Sequence, residues 1–270
     1  MLSLLDPHRV RANIRLFVDF AEPDGDQQKD LRLGYFTCLN KFQRRAFRIP
    51  KGYKGPSLDF DILDPVNLAT VQHFLKKSVV AEEDAFSEDE QAVIREKSRT
   101  AFELLRRYDA GVFETISLLV ACLLCAKKSG LGGGSFGDSL GVVWFDPDPF
   151  WESVDYAETI LHEATHQSLF LSDMVRRLFV LEPRELTGEN ALVTSAILQT
   201  PRPYDLAFHS ACVAAALVDF YLRTEMPDRS RKFVEPLKHT VAELRRKGDF
   251  LTRPGLVILH QLERCVHAIT

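Results

Sequence analysis

The sequence predicts a mainly α protein with a small β hairpin or short sheet beside one long helix. Helix-start signals followed by apolar residues at helical spacing recur along most of the chain. One segment, GVVWF at 141–145, is the best strand candidate because it is rich in β-branched and aromatic residues. The composition, 46% hydrophobic and 27% charged over 270 residues, is that of an ordinary globular protein.

Several local signals place the helices. Asp64 before Pro65 is typical of an N-cap followed by proline at the first helical position. Ser87 followed by Glu90 is a capping-box pattern. The predicted helices cover 64–77, 87–107, 111–128, 153–171, 204–223, 227–247 and 254–268. The glycine-rich stretch 130–137 predicts a flexible loop. We expect one continuous domain, with a helical N-terminal part (1–129) and a second part (130–270) that carries the chemistry.

Charge and cysteine usage exclude several classes of protein. The net charge of −4 gives no general affinity for nucleic acid or for an acidic membrane surface. The longest apolar run, at 116–126, is too short to span a bilayer, and the N-terminus lacks the pattern of a signal peptide. The cysteines are odd in number and scattered: Cys38, Cys122, Cys125, Cys212 and Cys265. We therefore expect a reduced, cytoplasmic protein without a disulfide framework. The CxxC pair at 122–125 falls within the predicted 111–128 helix and is interpreted as core packing.

The pattern that indicates chemistry is His162-Glu163-Ala-Thr-His166. Residues four apart lie on one face of a helix, so both imidazoles can bind one metal ion. Glu163 lies at the edge of that face and is the candidate catalytic residue, close enough to contact a metal-bound water or the substrate.

A catalytic metal site needs a third ligand. His209, 43 residues after His166, interrupts an otherwise apolar helix of small residues and is the predicted ligand. The alternatives are that His209 is a hydrogen-bonded core histidine, or that a glutamate completes the site as in some peptidases. The candidate glutamates are Glu182, Glu185 and Glu189.

Pro201-Arg202-Pro203 holds an arginine in extended backbone just before a helix is predicted to begin. A guanidinium beside free helix N–H groups is suited to binding a carboxylate. Arg202 is therefore the predicted co-substrate ligand, and the alternative is a surface arginine in a turn. Further candidate contacts to substrate are Trp144, Ser135 and Gln167.

Over 130–223 the sequence resembles the HExxH-type 2-oxoglutarate-dependent peptide β-hydroxylases found with ribosomal peptide natural-product pathways. The resemblance is carried by the Gly/Ser segment, the strand beginning at Val142, the HEATHQ motif, Pro-Arg-Pro and then Phe208-His209-Ser210. Ser210 stands where many members are expected to have glycine. The N-terminal helical part resembles no family that we can name.

The resemblance implies an Fe(II) and 2-oxoglutarate dioxygenase that hydroxylates a β-carbon of a ribosomally made precursor peptide. His162, His166 and His209 would bind the iron, and Glu163 would stand beside it without acting as a general base. Arg202 would bind the distal carboxylate of 2-oxoglutarate. This last assignment follows from the chemistry of arginine, not from the family.

Two other functions remain open from the sequence. In a zinc metallopeptidase, Glu163 would activate a zinc-bound water and the strand at 142–145 would pair with an extended substrate. The chain could also be a non-catalytic peptide-binding metal protein that keeps the scaffold. The sequence leaves the identity of the peptide and the oligomeric state open.

Overall fold

The computed structural model describes residues 2–22, 30–50, 55–128 and 132–269. The protein is mainly α: 66% of it is helical, and the strands form a small four-stranded sheet and a two-stranded hairpin, which confirms the predicted fold class. The helices are α1 (Pro7–Ala21), α2 (Leu31–Phe42), α3 (Pro65–Leu75), α4 (Glu88–Tyr108), α5 (Ala110–Leu119), α6 (Ser153–Arg176), α7 (Tyr204–Arg223), α8 (Pro227–Arg246) and α9 (Arg253–Ile269). The strands are β1 (Ser57–Asp59), β2 (Cys122–Cys125), β3 (Gly132–Gly134), β4 (Val142–Asp146), β5 (Val193–Thr194) and β6 (Pro201–Arg202).

The chain divides into two compact units, Pro7–Leu171 and the combination of Met1–Asp6 with Ser172–Thr270. The division falls within the sequence of α6. The expected boundary between residues 129 and 130 lies inside the Pro7–Leu171 unit, and it stays a prediction.

The four-stranded sheet belongs to the Pro7–Leu171 unit and has the order β1-β2-β4-β3. β1, β2 and β4 are parallel, and β3 is antiparallel to β4. Two predicted helix starts are confirmed nearby. The side chain of Asp64 accepts the N–H of Val66 at the start of α3, and Ser87 and Glu90 form the capping box of α4.

Two sequence-based assignments in this unit are wrong. The helix predicted over 111–128 ends at Leu119, and Cys122–Cys125 is a strand. β2 lies between β1 and β4 and is buried on both faces, so its residues are continuously apolar and resemble a buried helix in the sequence. The predicted flexible loop is the other error, because Gly132–Gly134 forms the edge strand β3. Residues 129–131 of that loop lie outside the described residues.

The second unit is built from α7, α8, α9 and the β5–β6 hairpin. These three helices match the three predicted at the end of the chain. By length and composition α7 is long and apolar enough to cross a membrane, but 78% of its most apolar stretch is buried inside the protein. Such burial is expected of a helix in the core of a folded unit.

Candidate metal centre

The two histidines of the motif converge on α6. Their Nε2 atoms lie 3.2 Å apart, and their ring centroids lie 5.0 Å apart with an interplanar angle of 55°. Both side chains are half-buried. The four-residue spacing therefore produces the arrangement predicted from the sequence, with two ring nitrogens aimed at one region of space.

The separation of these nitrogens fits two ligands of one ion. Imidazole nitrogens bind divalent zinc at about 2.0–2.1 Å, so two of them are about 3.0 Å apart at a right angle and about 3.4 Å apart at a tetrahedral angle. The observed 3.2 Å lies between these values. An N–H···N hydrogen bond between the rings would have a similar length, and a metal titration distinguishes this bond from a shared ion.

Glu163 is buried and its carboxylate is held in place. Its Oε2 accepts a 2.7 Å hydrogen bond from the Ser135 hydroxyl, and its Oε1 lies 3.8 Å from Nε2 of His162. Ser135 was a predicted substrate contact; the structure shows it in contact with Glu163, and the substrate role stays a prediction. One carboxylate oxygen thus faces the histidine pair and the other faces Ser135.

The strand β3 passes directly over α6 at this point. A Cβ on Gly133 would lie 2.9 Å from Cγ2 of Thr159 and 3.1 Å from the Trp144 carbonyl oxygen, with Cγ of Glu163 at 4.0 Å. Only glycine permits this approach without a shift. The glycine run therefore brings the following residue, Ser135, within reach of the carboxylate.

Gln167, the residue after His166, connects α6 to the sheet. Its Oε1 accepts from the Gly141 N–H at 3.0 Å, and its Nε2 donates to the Val142 carbonyl at 3.1 Å. The side chain is fully buried. These bonds fix the rotation of α6 against β4 and favour a positioning role, while the predicted contact with substrate stays untested.

Trp144, the other candidate substrate contact, is a sheet residue with 3% exposure. Its indole N–H donates to the Ala126 carbonyl at 2.7 Å, and Lys128 lies over its ring at 5.3 Å. Burial and a satisfied N–H favour packing for this residue. Its predicted role at the substrate has no further support.

His209 belongs to α7 of the second unit and is 4% exposed. Its ring stacks beside Phe179 at 6.5 Å with an interplanar angle of 26°. Burial lowers the pKa of His209 to about 4. The imidazole is therefore neutral near pH 7, which is the form that binds metal.

Arg202 lies in β6, where it pairs with Val193, and α7 begins two residues later as predicted. Asp205 lies four residues before His209 on the same helix and was not among the residues predicted from the sequence. Burial raises the pKa of Asp205, the Asp173 carboxylate raises it further, and Arg202 lowers it. Oδ1 of Asp205 is buried with no hydrogen-bond partner in the described part of the chain. The Asp205/His209 spacing repeats that of the HExxH pair and was a visible signal.

Among residues 2–22, 30–50, 55–128 and 132–269, no group of three or more His, Cys, Asp or Glu side chains is arranged to hold a metal ion. The structure places the His162 and His166 rings together with the Glu163 carboxylate beside them, but these side chains do not form such a group, and the third ligand stays a prediction.

No protein-family model matches this chain, and a search of curated proteins finds no significant match.

Proposed function

We propose that this chain is an Fe(II)- and 2-oxoglutarate-dependent oxygenase that hydroxylates a side-chain β-carbon of a ribosomally made precursor peptide. The observation that carries the proposal is the 3.2 Å separation of the His162 and His166 Nε2 atoms, which suits one shared ion. The resemblance over 130–223 supports the choice of iron and 2-oxoglutarate.

The residues have distinct roles in this proposal. His162 and His166, with His209 as the third imidazole, would hold the iron. Bound iron, 2-oxoglutarate and O₂ would supply the conversion of a C–H bond to C–OH, with one oxygen atom entering the peptide, the other entering succinate, and CO₂ released. Three neutral imidazoles leave the full charge of Fe²⁺ for a dianionic co-substrate.

Glu163 and Arg202 act around this centre. Glu163, buried and bonded to Ser135, would hold a negative charge beside the His162 ring without coordinating the metal. Arg202 would bind the distal carboxylate of 2-oxoglutarate by paired N–H donors. Its nearness to Asp205 means that this guanidinium also balances a carboxylate of the protein.

The cytoplasm is the proposed location. All five cysteines are free and four of them are buried, which is expected for a protein kept in a reducing compartment. The proposed partner is the precursor peptide, and the proposal requires neither nucleic acid nor membrane.

One observation favours a second candidate, a zinc metallopeptidase. Oε1 of Glu163 lies 3.8 Å from His162 Nε2, so it stands beside the position of a shared ion, where a general base would take a proton from a metal-bound water. A non-catalytic metal protein would keep the same pair of histidines but would neither convert 2-oxoglutarate nor cleave peptides.

Anaerobic reconstitution separates the three functions. The protein is loaded with Fe(II) or with Zn(II), its metal content is measured, and each form is given 2-oxoglutarate, a mixture of unstructured peptides, or both. We expect about one iron ion per chain and formation of succinate from 2-oxoglutarate under air. Peptide cleavage by the zinc form without 2-oxoglutarate would establish the peptidase. Metal binding with neither reaction would favour the non-catalytic protein.

The ligand set is tested in the same assay. His162→Ala and His209→Ala should each lower metal affinity on the order of a hundredfold or more. The matched control is His260→Ala, since His260 is exposed and paired with Glu263 at 3.0 Å. If His209→Ala retains full affinity, His209 is not a ligand and a glutamate must be sought.

A further inference from the structure

A groove of about 450 Å³ lies between the edge strand β1 and the helix α4, both in the Pro7–Leu171 unit. One wall is the strand backbone around Leu58. The other is a face of α4 that carries Arg95, Ser98, Phe102 and Arg106 at helical spacing. No residue that lines this groove belongs to α6, the helix that carries His162 and His166. The volume lies within the range of ordinary ligand sites.

The strand wall has an open edge. β1 is the first strand of the sheet, and in the described residues no strand pairs with its other side. The Ser57 N–H donates to the Ala121 carbonyl at 3.0 Å, so Ser57 points its backbone groups at β2. Because these groups alternate along a strand, the N–H and C=O of Leu58 point away from β2. They are available for pairing with an added extended segment.

The helix wall has a net positive charge, because Arg95, Arg99 and Arg106 line it together with one acidic residue, Glu103. Arg95 lies over the Phe60 ring at 4.5 Å and Arg106 lies over the Phe113 ring at 4.3 Å. Within the described chain neither guanidinium has a carboxylate within 4 Å. When a guanidinium stacks on an aromatic ring through its flat face, the N–H donors at its edge can still bind a carboxylate ligand. The third arginine of the groove, Arg99, already pairs with Glu96 and lies 3.8 Å from Glu103. Two positive charges therefore lack a counter-charge.

Ser98 is the polar group at the base of this wall. It is fully buried, and its Oγ has no hydrogen-bond partner among the described residues. A buried hydroxyl without a partner is unfavourable by itself and is uncommon in folded proteins. Ser98 therefore lies beneath the surface of the groove, and the ligand contacts proposed below do not depend on it.

We propose that this groove binds an acidic peptide segment in extended conformation. The segment adds a strand to β1 by pairing with Leu58, and its carboxylates bind Arg95 and Arg106. The choice of peptide as ligand rests partly on the proposed function, in which the substrate is a peptide. The groove would then hold a part of the substrate other than the reacting residue.

Direct binding to the full chain tests this without turnover. The probe is a fluorescein-labelled eight-residue peptide of alternating glutamate and valine, and binding is followed by fluorescence anisotropy after treatment with chelator. We expect saturable binding that weakens with added salt. A lysine–valine peptide of the same length should bind at least tenfold more weakly. A probe with N-methyl groups on alternate amides cannot form the strand pairing and should also lose at least tenfold.

Charge-reversal variants place the site. Arg95→Glu and Arg106→Glu should each weaken binding of the acidic probe by at least tenfold. Arg107→Glu is the matched control, because Arg107 is exposed on α4 and does not line the groove. Circular dichroism checks that the variants are folded.

Three results would overturn the proposal: equal binding of the acidic and basic probes, equal losses in Arg95→Glu and Arg107→Glu, or displacement of the acidic probe by a single-stranded oligonucleotide at lower concentration than by unlabelled peptide. Absence of 2-oxoglutarate turnover would refute the proposed function and leave the binding result standing. Absence of binding with normal turnover would refute only the groove.

Discussion

The Ser135 hydroxyl donates a 2.7 Å hydrogen bond to Oε2 of Glu163, across 28 residues of sequence. This bond occupies one oxygen of the only carboxylate within the HExxH motif and joins the glycine-rich segment to α6. It leaves Oε1 beside His162. Whether that second oxygen transfers a proton is the difference between a peptidase and an oxygenase.

Glu163→Gln separates these two chemistries. Glutamine keeps an oxygen to accept from Ser135 and removes the carboxylate that a general base requires. If the protein is an oxygenase, we expect unchanged iron content and 2-oxoglutarate turnover within about tenfold of the parent, because loss of a general base costs about 10²- to 10⁴-fold only where one is used. Metal analysis and succinate formation measure the two quantities. A loss of more than a hundredfold with metal retained would contradict this role for Glu163.

Gly133→Ala tests the close approach of β3 to α6. The added methyl group would meet Thr159 at 2.9 Å and the Trp144 backbone oxygen at 3.1 Å, so the strand or the helix must move. We expect the free energy of unfolding to fall by about 1–3 kcal/mol in a denaturant titration. Gly134→Ala is the matched control: its methyl group would lie 3.4 Å from the Trp144 ring, an ordinary contact. Equal stability of the two variants would show that β3 does not lie this close to α6.

Gln167→Met tests the bond between α6 and β4. Methionine has a similar volume but leaves the Gly141 N–H and the Val142 carbonyl without their side-chain partner in a buried setting. At about 1–3 kcal/mol for each of these two groups, we expect a loss on the order of 2–6 kcal/mol in unfolding free energy. Gln72→Met is the control, because the Gln72 amide donates to the Ser78 carbonyl at an exposed site where water can replace it. A Gln167→Met protein as stable as the control variant would show that the amide bonds contribute little.

Local signals allowed much of the helical structure to be predicted. The four-residue histidine spacing, the Asp64 cap and the Ser87–Glu90 capping box each depend on residues within one helical turn. The strand Cys122–Cys125 could not be separated from a helix, because a strand between two others is apolar throughout. Whether such an apolar segment forms a strand or a helix is then decided by its pairing with distant segments of the chain.

The candidate site shows the same limit. The histidine pair was visible in the sequence, but the Ser135–Glu163 and Gln167–Gly141 bonds join residues 28 and 26 positions apart. No local pattern indicates such a pair, so the sequence predicted Ser135 and Gln167 only as contacts to substrate. The glycine run was predicted to be flexible because glycine adopts many backbone conformations. In the structure, the absence of a side chain on Gly133 instead allows β3 to pack closely against Thr159 and Trp144.

Arg202→Ala tests the binding of 2-oxoglutarate. A bond from arginine to a carboxylate is typically worth about 1.5–3 kcal/mol, so its loss should raise the KM for 2-oxoglutarate about tenfold to a hundredfold. Iron content should be unchanged, since Arg202 is not a proposed ligand. Arg202→Lys should recover only part of the affinity, because lysine keeps the charge but lacks the paired donors. Arg184→Ala, at an exposed arginine of the same unit, is the control.

Arg202 is also close enough to lower the pKa of Asp205, so removing Arg202 leaves the buried Asp205 carboxylate without this nearby positive charge. A purely structural role would therefore appear as lower unfolding stability with the KM unchanged, and that combination would refute the co-substrate role.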